Sequence, residues 1–243
     1  MTEPRISPPK TYKRFDLTQR LEHGIFMASF SMLGLTGLIQ KFSSSPISLM
    51  IMRFLGGIEN TRQIHHIAAI VMILVSIFHV LNVLYRILVL RTRLSMLPWL
   101  DDFKHLFQDI AYYLGLRKQR AYYGRYNYAE KVEYLAVVWG TLLMGLTGFL
   151  MWNPISTTRF LPGEFIPAAK VAHGAEAILA VLAIVVWHFY NVHYNPDKFP
   201  MSWVWLTGRI SEAEIAREHP LEYQRLRAAE PVGPAAPLPD KAG

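Results

Sequence analysis

Residues 177–196 run for twenty positions without an Asp, Glu, Lys or Arg. That is long enough to cross the hydrocarbon core of a bilayer as a helix. Around this run, His173 and His188 stand fifteen residues apart. On an ideal helix they differ by about 60° in direction and by roughly 22 Å in height. One helical face therefore carries an imidazole near each side of the membrane. An ionisable residue at such a depth is expensive and marks a functional position. Three more charge-free runs, residues 23–40, 63–85 and 134–158, are each of spanning length, the first only just. The expected fold is an all-α membrane protein, a four-transmembrane-helix bundle with spans at about 22–41, 63–88, 132–153 and 171–194.

Basic residues orient the bundle. Of 25 Lys and Arg, five lie in the N-terminal segment, nine in the second connection (86–131) and six in the C-terminal segment, and only five lie in the other two connections. The positive-inside rule then places both termini and the long connection in the cytoplasm, in a multi-pass protein of the inner (cytoplasmic) membrane. The same distribution assigns the net charge of +7 to topology and membrane lipid rather than to nucleic acid. Residues 1–21 form a polar, basic cytoplasmic segment with no cleavage site after the first apolar run, unlike a signal peptide. The transmembrane domain is expected over 22–198 and a cytoplasmic segment over 199–243. The latter holds a short soluble helix over 211–229, opened by Ser211, then a Pro- and Ala-rich tail expected to be disordered after about 231. In the long connection Trp99, Phe103, Phe107, Ile110 and Leu114 recur at helical spacing with Asp101, Asp102, Lys104 and Asp109 between them, the pattern of an interfacial amphipathic helix or of one docked on a partner. Residues 47–55 form a short apolar segment at the outer interface. No internal repeat is read.

Cysteine is absent, which excludes disulfides, a C-x-x-C-H haem attachment and cysteine-held iron–sulfur clusters. A redox metal would have to be held by the nine histidines, or by Met or carboxylate. His105 and His219 fall in cytoplasmic connections and read as surface residues. The second span carries His65, His66 and His79, with His65 and His79 fourteen residues apart. The second and fourth spans run in the same direction, so His65 is level with His173 and His79 roughly level with His188. Two facing imidazoles at each of two depths are what two bis-histidine b-type haems need. His66 competes with His65 but points about 100° away, and His65 is preferred. His23 opens the first span and also faces the level of His188, so His23 and His79 remain alternatives for the inner iron. His193 is an interfacial residue or a hydrogen-bond donor to a propionate or quinone, and a third haem on His23 and His193 is a further alternative. Gly34, Gly37, Gly140, Gly145 and Gly148 permit close approach of backbones or of a macrocycle. Arg20, Arg62 and Arg86 stand at span ends, where they meet either propionates or lipid phosphate.

Several local patterns then carry a resemblance. These are R-L-E-H at Arg20–His23 followed by L-T-G, R-Q-I-H at Arg62–His65, G-R-Y-N-Y-A-E-K at Gly124–Lys131, H-F-Y at His188–Tyr190, and T-G-R-I-S and H-P-L-E-Y in the tail. In order and spacing over residues 14–223 the chain resembles the cytochrome b subunits of membrane-bound formate dehydrogenases and nickel–iron hydrogenases. The resemblance implies an outer haem on His65 and His173, an inner haem on His23 and His188, and a quinone site beside the inner haem with Tyr126, Asn127, Glu130 and Lys131 as candidates. It also implies an extracytoplasmic partner, either an iron–sulfur subunit or a multihaem c-type cytochrome. The chain departs from that family at His79, which gives it a histidine spacing similar to the cytochrome b of bc-type complexes. It departs again in a His173–His188 spacing one residue longer than usual, and at Glu130, where the family has Gln. The expected function is transfer of electrons between the outer redox subunit and the quinone pool, without catalytic activity of its own. The alternatives are a self-contained transmembrane reductase and a non-redox membrane anchor.

Overall fold

A computed structural model describes residues 10–92 and 94–230. The tail expected to be disordered after about 231 lies outside the described residues. In chain order the elements are β1 (Thr11–Lys13), α1 (Leu17–Lys41), α2 (Pro46–Phe54), α3 (Ile58–Leu88), α4 (Leu100–Tyr113), α5 (Tyr128–Trp152), α6 (Pro154–Thr157) and α7 (Phe165–Leu182). After them come α8 (Val204–Thr207), β2 (Arg209–Ser211), α9 (Glu212–Glu218) and α10 (Pro220–Ala228). α7 does not stop at Leu182. It continues as π-helical turns over Ala183–His188 and Tyr190–Tyr194, so that the whole helix runs Phe165–Tyr194.

The chain divides into two compact units. The larger comprises Lys13–Leu97 and Ala129–Arg209; the smaller comprises, among the described residues, Pro98–Tyr128 with 10–12 and 210–230. In the larger unit α1 packs along α3, with further contacts to α7 and α2. A capping box starts α1: Gln19 N–H donates to the Asp16 carboxylate at 2.9 Å and Asp16 N–H donates to the Gln19 side chain at 3.1 Å. Its burial pattern is the reverse of a water-soluble bundle. Ser29, Thr36, Ser48, Thr61, Ala68, Thr147 and Ala169 are buried, whereas Leu74, Leu81, Leu142, Phe149, Leu179 and Val186 face outward. So much outward apolar surface would drive association in water. In lipid it costs nothing, and small residues and hydroxyls are what bring membrane helices together.

Three helices among the described residues are long and apolar enough to cross a membrane: Ile58–Leu88, Tyr128–Trp152 and Phe165–Tyr194. α1, expected as a fourth span, has the length, with 25 residues, but is less apolar. Its Ser, Thr and Gly residues, which fit it between neighbours, lower its hydropathy.

The smaller unit corrects two expectations. The helix expected over 211–229 is two helices, because Pro220 ends the first at His219 and opens the second. Ser211 caps α9 as expected, accepting from Glu214 N–H at 3.2 Å. An unexpected pair of short strands, β1 with β2, joins the chain's two end segments. In α4 the apolar stripe is the exposed side: Trp99, Phe103, Phe107, Ile110 and Leu114 all face outward. Asp102 and Asp109, which lie between the stripe residues in sequence, are buried. Asp102 accepts from Trp99 N–H at 2.6 Å. Asp109 accepts from Ala121 N–H at 3.0 Å and from the Tyr123 hydroxyl. Burial and this carboxylate push the Tyr123 phenol well above its ordinary pKa. His219, expected at the surface, is buried, with Nδ1 2.9 Å from the Gly124 carbonyl.

Candidate functional site

The outer histidine pair is built symmetrically. Thr36 on α1 is fully buried and donates its only hydroxyl proton back to the Met32 carbonyl, 2.7 Å away. Its oxygen lies 2.9 Å from His65 Nδ1 and can only accept there. Nδ1 of His65 therefore carries the ring proton, and Nε2 keeps its lone pair. On α5, Thr147 does the same, donating to Leu143 O at 2.6 Å and lying 2.9 Å from His173 Nδ1. Both rings are thus held in the tautomer that leaves the Nε2 lone pair available to a metal. Their centroids are 6.4 Å apart. Two metal–imidazole bonds of about 2.0 Å plus the ring radii require about 6 Å, so the pair fits one bis-histidine iron. Glycine stands beside each ring: a Cβ on Gly37 would sit 3.3 Å from His65 Cε1, and one on Gly148 would sit 3.3 Å from His173 Cε1. His66, the competitor, is turned away and stacks on Trp152 at 4.1 Å.

The inner end gathers more residues. His23 and His188 have ring centroids 6.5 Å apart, again close to the bis-histidine separation, and His23 also lies 5.6 Å from Trp205 of α8. His79, the alternative to His23, is engaged at both nitrogens: Nδ1 is 2.8 Å from Glu22 Oε2 and Nε2 is 3.1 Å from the Tyr134 hydroxyl. Asn82 donates to the other Glu22 oxygen at 2.7 Å. His188 Nδ1 faces Glu133 Oε2 at 3.6 Å. His193 lies against Phe189 and Tyr194. Among the described residues no group of three or more His, Cys, Asp or Glu is placed to hold a metal ion. What the membrane helices offer is pairs.

Of the three arginines, Arg62 pairs with Glu59 at 2.8 Å and Arg86 with Asp16 at 2.5 Å. Arg20 Nε is buried without a hydrogen-bond partner, one helical turn before His23. Among the quinone candidates, Tyr126 lies under the Arg125 guanidinium, and Glu130 faces the buried Arg14 at 3.7 Å. Asn127 directly precedes α5, and Lys131 lies in its first turn.

These contacts expose a repeat that the linear pattern hides. Gly34-Leu35-Thr36-Gly37 recurs as Gly145-Leu146-Thr147-Gly148, and Glu22-His23 recurs in register as Glu133-Tyr134. Each contact has a counterpart: Thr36–His65 with Thr147–His173, Glu22–His79 with Glu133–His188, and His23–His188 with Tyr134–His79. The roles of Thr36, Thr147, Glu22, Glu133, Tyr134 and Trp205 were not read from the sequence. The repeated tetrapeptide was the available signal for the two threonines.

No family model matches the chain. It is distantly similar to two curated proteins of Escherichia coli (strain K12). One is the cytochrome b556(Fdn) subunit of the nitrate-inducible formate dehydrogenase, 21% identical over 134 residues, 55% of this chain and 57% of that protein. The other is the cytochrome b556(fdo) subunit of formate dehydrogenase, 21% identical over 220 residues, 89% of this chain and 94% of that protein. A Shigella flexneri cytochrome b556(Fdn) subunit matches as the first does. The match to the Fdn subunits spans little more than half their length.

Proposed function

We propose that the chain is a dihaem b-type cytochrome of the cytoplasmic membrane that passes electrons between an extracytoplasmic redox subunit and quinone. The observation that carries this reading is the outer pair, two imidazoles at the bis-histidine separation whose Nε2 lone pairs are fixed by two equivalent threonines. The distant likeness to cytochrome b556 subunits of formate dehydrogenase supports it.

Four spans are part of the proposal. Residues 10–12, 98–128 and 210–230 belong to one compact unit, which supports a reading in which they share one side of the bilayer. On that reading the chain between 13 and 97 crosses an even number of times, and α3 is one crossing. α1 is the second, and α5 with α7 complete the count. The positive-inside rule makes that side cytoplasmic, and the outward stripe of α4 suits the membrane surface.

Haem supplies one-electron chemistry at iron; the protein supplies ligands, burial and charge. His65 and His173 would hold the outer iron. His23 and His188 would hold the inner one, since His79 is engaged by Glu22 and Tyr134. Arg20, with its unpartnered Nε, is the arginine left to meet a propionate there. The apolar helices keep water from both pairs. Quinone is placed at the cytoplasmic membrane surface where α5 begins, with Tyr126, Asn127, Glu130 and Lys131 as the hydrogen-bonding candidates. The partner outside the membrane would be an iron–sulfur subunit or a multihaem c-type cytochrome.

A pyridine haemochrome assay on the purified chain tests the reading. Two haems b per chain are expected, falling to one in His23→Ala and staying at two in His79→Ala. A chain without haem would overturn the proposal, and loss of haem in His79→Ala alone would reassign the inner ligand.

A further inference from the structure

The two haem sites proposed above differ in what faces the ligating rings. At the outer pair both Nδ1 atoms meet neutral hydroxyls, Thr36 and Thr147, at 2.9 Å. At the inner pair His188 Nδ1 stands 3.6 Å from a carboxylate oxygen, Glu133 Oε2, an ion-pair distance just beyond that of a hydrogen bond. The counterpart of Glu133 in the first half, Glu22, is satisfied by two donors, His79 at 2.8 Å and Asn82 at 2.7 Å. Glu133 is not: its Oε1 is buried and has no hydrogen-bond partner. A polar atom in that state needs a reason to be there. Nothing in its own helix supplies one, and the residue it faces is His188.

Resting on the dihaem reading, we propose that Glu133 is a positioning residue of the inner haem, which orients His188 and lowers the potential of that haem alone. Two physical effects act in the same direction. A carboxylate facing the non-ligating nitrogen raises the basicity of the ligating one. A negative charge in a low-dielectric site favours the more positive, oxidised iron. Both stabilise the ferric state and so lower the potential. The threonines fix the ring tautomer at the outer pair but bring no charge. The repeated helix pair therefore gives two similar ligand sets and distinguishes them electrically. Tyr134, where the repeat would otherwise place a second His23, leaves His79 and Glu22 bound to each other rather than to iron.

The test is a redox titration followed by visible absorption, with the ferric low-spin spectrum of each haem recorded in parallel. It uses the full chain, in its complex where one forms, after haem content has been counted by pyridine haemochrome. In Glu133→Gln two haems are retained, one midpoint potential rises, the other is unchanged, and one of the two ferric signals shifts. Glu133→Asp keeps the charge, so its potential stays closer to wild type. If Glu133→Gln fails to hold the inner haem, Glu133→Asp decides: a smaller rise in that one potential supports the proposal. Two retained haems with both potentials as in wild type, or moving together, would overturn it. A wild-type chain without haem would overturn the dihaem reading, and is told apart because haem is counted before any potential is measured.

Discussion

The two ends of the membrane helices solve the same problem with different economy. At the outer end each ring has one hydroxyl, one glycine and one facing ring, and the second half of the chain repeats the first. At the inner end the same two helix pairs bring together two histidines that face each other, a third engaged by Glu22 and Tyr134, and an unsatisfied carboxylate. The difference shows that duplicated contacts do not fix duplicated function. One substitution in the pattern, Tyr134 for histidine, decides which imidazoles remain for a metal.

The largest effect expected is at the outer pair. His65→Ala or His173→Ala removes one of two haems, read as a halved haemochrome yield. His66→Ala, which only removes a ring stacked on Trp152, leaves the yield at two. Next is the hydroxyl. Thr147→Val removes the hydroxyl that accepts from His173 Nδ1, a hydrogen bond worth about 1 kcal/mol. Loss of such a partner weakens metal affinity by about 10–100-fold, so haem transfer to an excess of a scavenging protein becomes faster from the outer site only. A smaller change is expected of Gly148→Ala: a Cβ 3.3 Å from His173 Cε1 asks the ring to shift by a few tenths of an ångström, and the outer haem's ferric spectrum should move while its content holds.

The smallest effect sharpens the comparison from outside the membrane. Hydrogen bonds from Tyr223 and then Arg227 hold the Glu212 carboxyl below the usual carboxylate range. A lowered folded-state pKa means the stabilisation is present above the unfolded value and is lost as pH falls through the folded one. The protection of amides over residues 210–230, taken relative to the intrinsic exchange rate at each pH, should therefore fall in acid. The outer haem site contains no carboxylate among its ring partners and should keep its spectrum over the same interval.

Three of the expected spans and the approach of His65 to His173 were legible in the sequence because both rest on cost: charge-free runs and intramembrane imidazoles are rare unless they are used. The sequence could not separate His23 from His79. Ideal helix geometry admits both, and the proposed choice rests on Glu22 of α1 and Tyr134 of α5, which engage His79 of α3. The burial of His219 is hidden from the sequence for a related reason, since a polar residue in a connection is solvated only if no neighbour offers it a hydrogen bond, and the Gly124 carbonyl does. α1, the proposed fourth span, is the reverse case. Ser29, Thr36, Gly34 and Gly37 make α1 a good central helix and, by the same chemistry, a less apolar one. The repeat was obscured because His65–His79 and His173–His188 differ in spacing by one residue.

That extra residue lies where the last span is wound as π-helix, from Ala183 to His188. A wide turn takes in a residue chiefly by rotating the remainder of the helix, and adds little length. Depth in the bilayer and direction around the helix axis thereby become separate quantities. Lipid thickness sets the first, while local winding sets the second. A membrane helix built in this way can turn a functional side chain toward a new neighbour without moving either of its ends.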